Sequence, residues 1–445
     1  MIVPLSKLKP DIRAVFAAVL ESANPYKSIL KCLKRKGRIL RAGKYGYNLS
    51  CFHHIYVFGA GKAALLMAQA AKKVLGRYLA GGIVCIPDNY PIKTALNKIK
   101  IRVAAHPIPN KSSQQAALGV REMLKTASTN DFVIYLASGG GSSLLVLPAP
   151  GITLKDLQQL TGLLLKSGAS LNEMNTVRKH IDMVKGGWLA RHAYPASLLT
   201  LVLSDVVGDK IEMVSSGPTL PDTSTFKDAH NILMKYGLGR KIPRSIRERI
   251  KSGLIGGVSD TPKPGDICFL RNQAVLIGTN RLALESARSK AESLGYHAIV
   301  LPLAVTGEAC VAAYINAGKA VQLAKRRIKP LLIISGGETT VSVKGSGIGG
   351  RNQEYALAFA IRMKELNFRN FVCLSCSTDG IDNVKGVAGA IVDGTSIDKA
   401  VAKGLNPNSL LKNNNSYRFH KAINSLVKTG PTGTNVNDIQ ITAVW

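Results

Sequence analysis

Short apolar runs alternate with helical stretches along most of the chain. Most runs are apolar at successive positions, which is typical of strands buried on both faces of a sheet. This alternation predicts an α/β architecture with largely parallel sheets. The predicted strands are Ile55–Phe58, Gly82–Ile86, Ile101–Ala104, Phe132–Leu136, Leu198–Leu203, Ala274–Ile277, Ala298–Leu301, Leu331–Ile334 and Phe371–Leu374. The predicted helices include Ala63–Leu75, Gln114–Thr126, Leu282–Ser293 and Gly307–Leu323, and an amphipathic N-terminal helix around Ala14–Leu20.

The strand pattern lapses between about Gly237 and Asp266, where prolines and glycines flank a short basic helix. A domain boundary near the end of this segment is the simplest interpretation. The prediction is two α/β domains, residues 1–268 and residues 269–445, that face each other across a ligand-binding cleft.

The charge of the chain is unusual for a globular protein of normal hydrophobicity. Its 445 residues include 59 Lys and Arg against 27 Asp and Glu, a net charge of +32. Such a charge favours a polyanion-binding protein. The excess is concentrated in residues 1–130, which hold 22 bases and four acids. Eight of these bases lie in Lys27–Lys44, at spacings that could line one face of a helix. A solvated basic face is the alternative interpretation.

Seven cysteines, an odd number, argue against a disulfide scaffold. Cys373 and Cys376 form a C-x-x-C pair inside a predicted strand, where packed thiols fit better than a redox pair or a zinc site. The longest uncharged run, Phe132–Leu154, is interrupted by glycines and prolines and does not predict a membrane span. The N-terminus lacks a signal-peptide pattern, so a cytoplasmic location is expected.

Glycine-rich turns follow three of the predicted strands. The first, from Gly59 through Gly61 and Lys62 to Ala64, matches the G-x-G-x-x-A dinucleotide pattern. A lysine at a helix start adds its charge to free backbone amides, which suits a phosphate or a carboxylate. The alternative is a tight turn with a solvated lysine.

The other two turns are richer in glycine and serine. One contains Ser138, Gly139, Gly140, Gly141 and Ser142, whose glycines can form an anion-binding nest. The other contains Ser335, Gly336, Gly337 and Glu338, and a Gly-rich stretch ending at Arg351 and Asn352 comes soon after. Ligands of α/β sheets bind at the carboxyl ends of strands, so three such turns predict a binding site.

Acidic residues are scarce, and ten of the 27 lie in or beside these turns: Asp205, Asp209, Glu212, Asp222, Glu338, Glu354, Asp379, Asp382, Asp393 and Asp438. A few carboxylates near turns that can bind phosphate are suited to hold Mg²⁺ together with a nucleotide. Alternatively, any one of these acids could form an Asx-turn or cap a helix. Two weaker candidates for the binding site are His106 and Arg178. His106 lies after the predicted strand Ile101–Ala104 and before two prolines, and Arg178 lies in a basic cluster with Lys179 and His180. A solvated or core role fits each of these equally well.

The motifs together resemble a known family, the type 2 glycerate kinases, whose C-terminal part is called the MOFRL domain. The resemblance covers nearly the whole chain. It runs through Gly59–Ala63, His106–Pro109, Ser138–Ser143, Asn175–His180, Leu203–Asp209, Ser216–Thr219, Ser335–Thr339, Gly349–Glu354, Thr378–Asp382 and Gly433–Asp438.

The resemblance implies a larger Rossmann-like N-terminal domain, a smaller α/β C-terminal domain and an active site in the cleft between them. It implies transfer of phosphate from ATP to the 2-hydroxyl of D-glycerate with Mg²⁺ or another divalent cation. The family's lysine and arginine fall on Lys62 and Arg351. Asp205 or Asp379 would orient the hydroxyl, and Asp205, Asp379 and Asp382 are the candidate metal ligands. Nucleotide- or substrate-binding roles are expected for Gly59, Gly61, His106, Ser138, Gly139, Gly140, Gly141, Ser142, Arg178, Ser335, Gly336, Gly337, Glu338 and Asn352.

On this interpretation the partners are D-glycerate and the nucleotide, and no nucleic acid or membrane is expected to bind. The chain is expected to be a monomer or a homodimer. The first alternative is an NAD(P)-dependent hydroxypyruvate reductase. It needs an acid about 20 residues after the first glycine turn, but residues 22–87 contain none and Asp88 is the nearest. The second, a polyanion- or nucleic-acid-binding protein, is favoured by charge alone.

Overall fold

A computed structural model of the chain describes residues 5–88, 90, 95–326 and 330–445. The chain forms two packing units. The central unit is Pro25–Ile277, and the terminal unit combines the chain up to Asn24 with Gly278–Trp445. The division differs from the predicted boundary between residues 268 and 269 in two respects: it falls nine residues later, and the N-terminal helix packs with the C-terminal unit.

The strands are β1 (Leu33–Lys36), β2 (Ile39–Ala42), β3 (Tyr45–Asn48), β4 (His54–Ala60), β5 (Leu79–Pro87), β6 (Ile99–Ala104), β7 (Asp131–Ala137), β8 (Ser197–Leu203), β9 (Asn272–Gly278), β10 (His297–Val300), β11 (Val305–Glu308), β12 (Leu331–Thr340), β13 (Phe371–Ser377), β14 (Gly389–Asp393), β15 (Leu426–Val427) and β16 (Asp438–Val444). Every predicted strand is present. The structure adds β1 to β3, β11 and β14 to β16 within the described residues.

The helices are α1 (Leu5–Ser22), α2 (Pro25–Cys32), α3 (Ala64–Leu75), α4 (Lys111–Leu124), α5 (Gly141–Leu144), α6 (Leu154–Lys166), α7 (Leu171–Lys179), α8 (Trp188–Ala193), α9 (Phe226–Lys235), α10 (Arg244–Leu254), α11 (Asn280–Ser293), α12 (Ala309–Arg326), α13 (Arg351–Glu365), α14 (Ser396–Val401), α15 (Pro407–Lys412) and α16 (Ser416–Ala422). The predicted N-terminal helix and the short basic helix before the domain boundary are confirmed as α1 and α10.

The central unit is built on a six-stranded sheet with the order β6-β5-β4-β7-β8-β9. The pairs β5/β6, β4/β5, β4/β7 and β7/β8 are parallel, as predicted. The strand order reverses between β4 and β7, because the chain first extends the sheet to one side and then returns to the other. Open parallel sheets bind ligands at such a switch point, beyond the carboxyl ends of the strands.

The sheet of the terminal unit corrects one expectation. Its order is β10-β12-β16-β13-β14-β15, with β11 also paired to β12. Only β10/β12 and β11/β12 are parallel, and the other four pairs are antiparallel. The prediction of largely parallel sheets is therefore wrong here. Buried strands have the same apolar composition in either orientation, and direction is set by chain connections such as the insertion of β16 between β12 and β13.

Helix α1 belongs to the terminal unit through specific hydrogen bonds. The Asp11 carboxylate accepts from the Tyr296 hydroxyl at 2.6 Å, and Ser286 Oγ donates to the Ala18 carbonyl at 3.1 Å. Thr434 Oγ1 donates to the carbonyl of Ala23, just after the helix, at 2.6 Å. These bonds explain why the first residues pack with distant sequence, which no local pattern predicts.

The basic segment Lys27–Lys44 is not one helix face, so this prediction is wrong. Helix α2 ends at Cys32, and β1, β2 and β3 then form an antiparallel three-stranded sheet. Gly37 and Gly43, each at φ of +58°, lie in the two turns, where a left-handed backbone favours glycine. Lys34 and Arg41 are cross-strand neighbours.

The C-x-x-C cysteines lie fully buried in β13, in agreement with packed thiols. Burial raises the pKa of the Cys373 thiol to about 12 and that of Cys376 well above its usual value. All seven cysteines are free. Within the described residues, no helix has the length and apolar character needed to cross a bilayer.

Two glycines give a test of the packing of the central unit. A Cβ on Gly82 of β5 would overlap the Val57 carbonyl of β4, whereas one on Gly162 of α6 would meet open space. We expect Gly82→Ala to lower the free energy of unfolding by at least about 2 kcal/mol, because the Val57 carbonyl belongs to the backbone of β4 and cannot move away without distorting the sheet. Gly162→Ala should raise it by about 0.5–1 kcal/mol through helix propensity. Urea unfolding followed by circular dichroism measures both changes, and equal stabilities would contradict the packing described.

Candidate active site

Four predicted site segments follow parallel strands of the central sheet. Lys62 follows β4, His106 follows β6, the Ser138–Ser142 turn follows β7 and Asp205 follows β8. Because these strands run parallel, their carboxyl ends lie at one edge of the sheet. The structure therefore places these residues at the same edge.

The first two glycine turns lie directly against each other. The Lys62 amide donates to the Gly139 carbonyl at 2.9 Å, and the Ser138 amide donates to the Ala60 carbonyl at 3.3 Å. The Ala63 amide donates to Ser138 Oγ at 3.2 Å. A Cβ on Gly61, whose φ is +134°, would overlap Ser138. Gly61 is thus required by this close approach.

The amide groups of the first turn are already used within the protein. Besides the Lys62 and Ala63 amides, that of Gly61 donates to the Cys85 carbonyl at 3.1 Å and that of Ala64 to the Gly61 carbonyl at 3.2 Å. The expectation that free amides of this turn bind an anion is therefore corrected. Gly59 also has a packing explanation, because a Cβ there would lie 2.8 Å from Leu136 Cβ. What this turn contributes is the Lys62 side chain.

The second turn, in contrast, keeps open amide groups. No hydrogen bond within the described residues uses the amides of Gly139 and Gly140, and Gly140 is left-handed at φ of +84°. The His106 ring packs closely on this turn, since a Cβ on Gly140 would lie 3.1–3.2 Å from its Cδ2 and Nε2 atoms and 3.7 Å from Lys62 Cγ. We call Lys62, His106 and the Gly139–Gly141 turn the Lys62 cluster. An ammonium, an imidazole and open amides together suit an anion.

A segment with left-handed backbone, residues 215–217, forms hydrogen bonds to the second glycine turn. Ser215 and Ser216 have φ of +54° and +61°, and Gly217 follows at +58°. Ser215 Oγ donates to the Ser138 carbonyl at 2.8 Å. Ser216 Oγ donates to Asn175 Oδ1 at 2.8 Å and lies 2.7 Å from Ser142 Oγ. Left-handed serines cost about 1–2 kcal/mol each, so these bonds must hold them in place.

Asn175, Ser215 and Ser216 were not predicted as site residues. Asn175 and Ser216 lie in motifs of the family resemblance and Ser215 lies just before one, but serine carries no signal for a left-handed backbone. They join the candidate site because they hold Ser138 and Ser142.

The basic cluster at residues 178–180 separates into different roles. The Lys179 ammonium pairs with the buried Asp222 carboxylate at 3.2 Å. The His180 ring, also buried, has Nδ1 2.7 Å from the Thr176 carbonyl oxygen. Both therefore serve the core. Arg178 instead lines a small pocket, with room for about one water molecule, together with Pro107 and Ser142.

The terminal unit holds the second group of predicted residues, centred on Arg351 at the start of α13. Arg351 Nε and Nη2 donate to the two oxygens of Asp438 at 2.6 and 3.0 Å. Its Nη1 donates to Glu338 Oε1 at 2.8 Å. We call these three residues the Arg351 cluster. The planar fork is oriented by a bidentate contact, which a lysine could not make.

Asp438, predicted only as one of the ten clustered acids, is the partner that orients Arg351. Burial raises its pKa to about 6, although the Arg351 guanidinium opposes this. Burial alone would lower the pKa of Arg351, but Asp438 and Glu338 outweigh that effect and raise it. The guanidinium is therefore charged and held in a fixed direction.

Asp382 has a different task from the metal binding predicted for it. Its Oδ1 accepts from the Asn352 amide at 3.1 Å, and its Oδ2 accepts from the Gln353 amide at 2.9 Å and Gln353 Nε2 at 3.0 Å. It therefore satisfies the exposed amides at the start of α13 in the manner of a helix cap. Asn352 is likewise structural, because its Oδ1 accepts from Ser375 Oγ at 2.7 Å.

Asp379 remains a candidate at the carboxyl end of β13. Its Oδ1 accepts from Ser377 Oγ at 2.8 Å and from the Ile381 amide at 3.0 Å, which fixes the carboxylate. Within the described residues, one group of three possible metal-ligating side chains lies within 4.8 Å: Glu308, Cys310 and Glu354. None of the predicted metal ligands belongs to it.

The third predicted glycine turn is not a turn. Strand β12 continues to Thr340, and Gly336 and Gly337 pair with Ile439 and Asp438 of β16. A Cβ on Gly336 would overlap the side-chain amide of Asn280, and a Cβ on Gly337 would overlap the backbone carbonyl of Val305. These glycines allow close packing of strands. Ser335, predicted with them, is buried and donates to Gln440 Oε1 at 3.2 Å.

Comparison with known proteins gives matches over nearly the whole chain. The family model described as a domain of unknown function, DUF4147, matches residues 11–251, and the MOFRL family model matches residues 331–438. A glycerate 2-kinase of Pyrococcus horikoshii is 39% identical, with 98% of each chain covered. A protein of Agrobacterium vitis provisionally named hydroxypyruvate reductase is 37% identical over 96% of this chain and 93% of its own. The crystal structure of a Thermotoga maritima glycerate kinase superposes with a TM-score of 0.84 at 36% identity, covering 99% of this chain and all of that one.

The raised pKa of Asp438 gives a test of the Arg351 cluster. Its folded value of about 6 lies above the usual 3.8, so the folded state binds the extra proton between about pH 4 and pH 6. The stability advantage of the wild type over Asp438→Asn should therefore fall as the pH rises through this window, by up to about 3 kcal/mol. Urea unfolding of both proteins from pH 4 to pH 8 measures the difference. A difference that grows with pH would mean that Arg351 lowers this pKa more than burial raises it.

Proposed function

The chain belongs to the family of glycerate kinases that carry a MOFRL region, and we propose that it phosphorylates the 2-hydroxyl of D-glycerate with ATP. The products are 2-phosphoglycerate and ADP, and the reaction class is phosphotransfer to an alcohol. The observation that carries the assignment of the site is the Lys62 cluster. It offers a positive charge and open amides at the sheet edge where such folds bind ligands.

Phosphoryl transfer passes through a loose, anionic transition state, so positioning and charge stabilisation supply most of the catalysis. We assign Lys62 to the stabilisation of negative charge on the transferring group. The amides of Gly139 and Gly140 would donate to phosphate oxygens, and the His106 ring packed on them would limit how far the turn can move. These groups are held before ligand arrives, which lowers the reorganisation needed during the reaction.

Arg351 is the second cationic candidate. Of its five N–H donors, three are used by Asp438 and Glu338. The two that remain, one on Nη1 and one on Nη2, can donate to a phosphoryl or carboxylate oxygen. We assign Arg351 to that contact, with Asp438 and Glu338 as positioning residues.

We assign the substrate hydroxyl and the divalent metal to two carboxylates, in an order that stays open. Asp205 and Asp379 each follow a strand at its carboxyl end, and either could accept the proton of the 2-hydroxyl. Mg²⁺ takes one or two protein carboxylates and completes its shell with phosphate oxygens and water, so either residue is a candidate ligand. A bound Mg²⁺ would neutralise charge on the phosphate oxygens.

Hydroxypyruvate reduction is the alternative function, and one observation favours it. Asp88 is exposed directly after β5, next to β4, where an acid of a dinucleotide fold would contact ribose hydroxyls. Such a fold also binds the pyrophosphate through free amides at the start of the first helix. Here the amides of Gly61 to Ala64 are used internally, so kinase activity is the better supported of the two.

We expect Lys62→Ala and Arg351→Ala each to lower kcat/KM for glycerate phosphorylation by about 10²–10³-fold, because each removes charge stabilisation from the transition state. Coupled measurement of ADP release gives these values. Lys227→Ala and Arg418→Ala are matched controls, since both side chains are exposed and carry the same charges. Full activity in either test variant would show its assignment to be wrong.

The products distinguish the two functions directly. Incubation with ATP, Mg²⁺ and D-glycerate should give ADP and 2-phosphoglycerate, resolved from the 3-phosphate by phosphorus NMR. Hydroxypyruvate with NADH or NADPH should give no oxidation of the nucleotide. The opposite pair of results would establish the reductase.

A further inference from the structure

A pocket of about 460 Å³ lies between helix α12 and residues 301–306 in the terminal unit. These residues are the loop between β10 and β11 and the first two residues of β11. The volume is within the range of small-molecule sites. The described residues that line the pocket include none of the candidate site residues, so the pocket is separate from both clusters described above. We call it the α12 pocket.

The walls of the α12 pocket are mainly apolar, and part of this apolar surface is exposed. Leu301, Val305 and Leu323 contribute to the walls. Leu303 and Ile315 also line the pocket, and they are 76% and 53% exposed. Large apolar side chains grouped around a concavity are typical of binding sites, because a ligand that covers them removes apolar surface from water. The ligand is therefore expected to have an apolar body.

The charge of the α12 pocket restricts the ligand further. Among the described residues that line it, Lys319 of α12 carries the single charge and none is acidic. The Lys319 ammonium is exposed and forms no ion pair with a described residue. Thr306, Asn316 and Gln322 add neutral hydrogen-bonding groups. One cation beside apolar walls complements a monocarboxylate, whereas a polyphosphate would bring several uncompensated negative charges next to these walls.

Two contacts connect the α12 pocket to the Arg351 cluster within the terminal unit. Thr306 is the register partner of Glu338 in the β11/β12 pair, and Glu338 accepts a hydrogen bond from Arg351. Asn316 Nδ2 donates to the Tyr355 hydroxyl at 2.9 Å, and Tyr355 lies one turn after Arg351 on α13. A ligand that binds better when either contact is displaced shifts the guanidinium away from the orientation described above. Such a ligand would oppose the role assigned to Arg351.

We propose that the α12 pocket is an inhibitory binding site for an amphipathic monocarboxylate. Lys319 binds the carboxylate, and the apolar walls bind the hydrocarbon body. The inhibitory effect rests on the proposed function, which assigns Arg351 to the reaction. The existence of the site does not, because it follows from the volume, the walls and the charge of the pocket.

Calorimetric titration with octanoate tests the site without any measurement of activity. The wild type should bind octanoate, and Ala304→Trp should abolish this binding, because Ala304 is an exposed lining residue and an indole there would fill the pocket. Lys319→Gln should weaken octanoate binding about 3- to 10-fold and leave binding of the neutral octan-1-ol unchanged. Lys325→Gln, exposed on the same helix and outside the pocket, is the matched control. Equal octanoate affinities in all four proteins, or no binding by the wild type, would overturn the proposal.

Measurement of ADP release at saturating octanoate tests the inhibition. The kcat/KM for D-glycerate should fall at least about 5-fold in the wild type and in Lys325→Gln, and it should not change in Ala304→Trp. Octanoate binding without this loss would show that the inhibitory role is wrong. If the wild type does not phosphorylate D-glycerate, the proposed function fails, whereas octanoate binding that Ala304→Trp abolishes would still support the site.

A second copy of the chain is the alternative occupant of this apolar surface. In that case sedimentation velocity would show a dimer that Ala304→Trp disrupts, and octanoate would not bind to the dimer. This result would identify the surface as an interface between copies and would overturn the proposal. A wild type whose sedimentation is the same as that of Ala304→Trp, together with octanoate binding, supports the small-molecule site.

Discussion

The central unit depends on the close approach of two turns, those after β4 and β7. The hydrogen bond from the Lys62 amide to the Gly139 carbonyl, and the absence of a Cβ at Gly61, bring the turns into contact. This contact uses the amides of the first turn and leaves those of Gly139 and Gly140 open. A Rossmann-like arrangement is thereby changed at its usual anion-binding turn, and the site depends on the second turn and on the Lys62 side chain.

The terminal unit uses the same principle with charged side chains instead of backbone atoms. Asp382 satisfies the first amides of α13, and Asp438 holds Arg351, the first residue of that helix, by a bidentate contact. Burial of these carboxylates is unfavourable by itself, and the hydrogen bonds and the guanidinium offset it. Carboxylates therefore fix both the start of α13 and the orientation of the Arg351 guanidinium. Three of the ten clustered acids, Glu338, Asp382 and Asp438, thus have a structural explanation for their positions.

The basic residues behind the net charge of +32 do not lie on one helix face, as their spacing in Lys27–Lys44 suggested. Much of the basic segment Lys27–Lys44 lies on a small antiparallel sheet, where Lys34 and Arg41 are cross-strand neighbours. The bases to which we assign a role in binding or catalysis, Lys62 and Arg351, are few and lie in a glycine-rich turn and beside carboxylates. Total charge and catalytic charge are thus separate properties of this chain.

The sequence predicted nine of the described strands, the main helices, the family resemblance and the motifs that contain Lys62, His106, Arg178 and Arg351. These predictions succeeded because buried strands and helix faces depend on local composition. Strand direction in the second sheet, the packing of α1 and the partners of each acid became visible only in the folded chain. These depend on contacts between residues far apart in the chain, such as Arg351 with Asp438 and Ser215 with Ser138. Local sequence does not encode such partners, so the motif that contains Asp382 gave no sign that its carboxylate accepts from the first amides of α13.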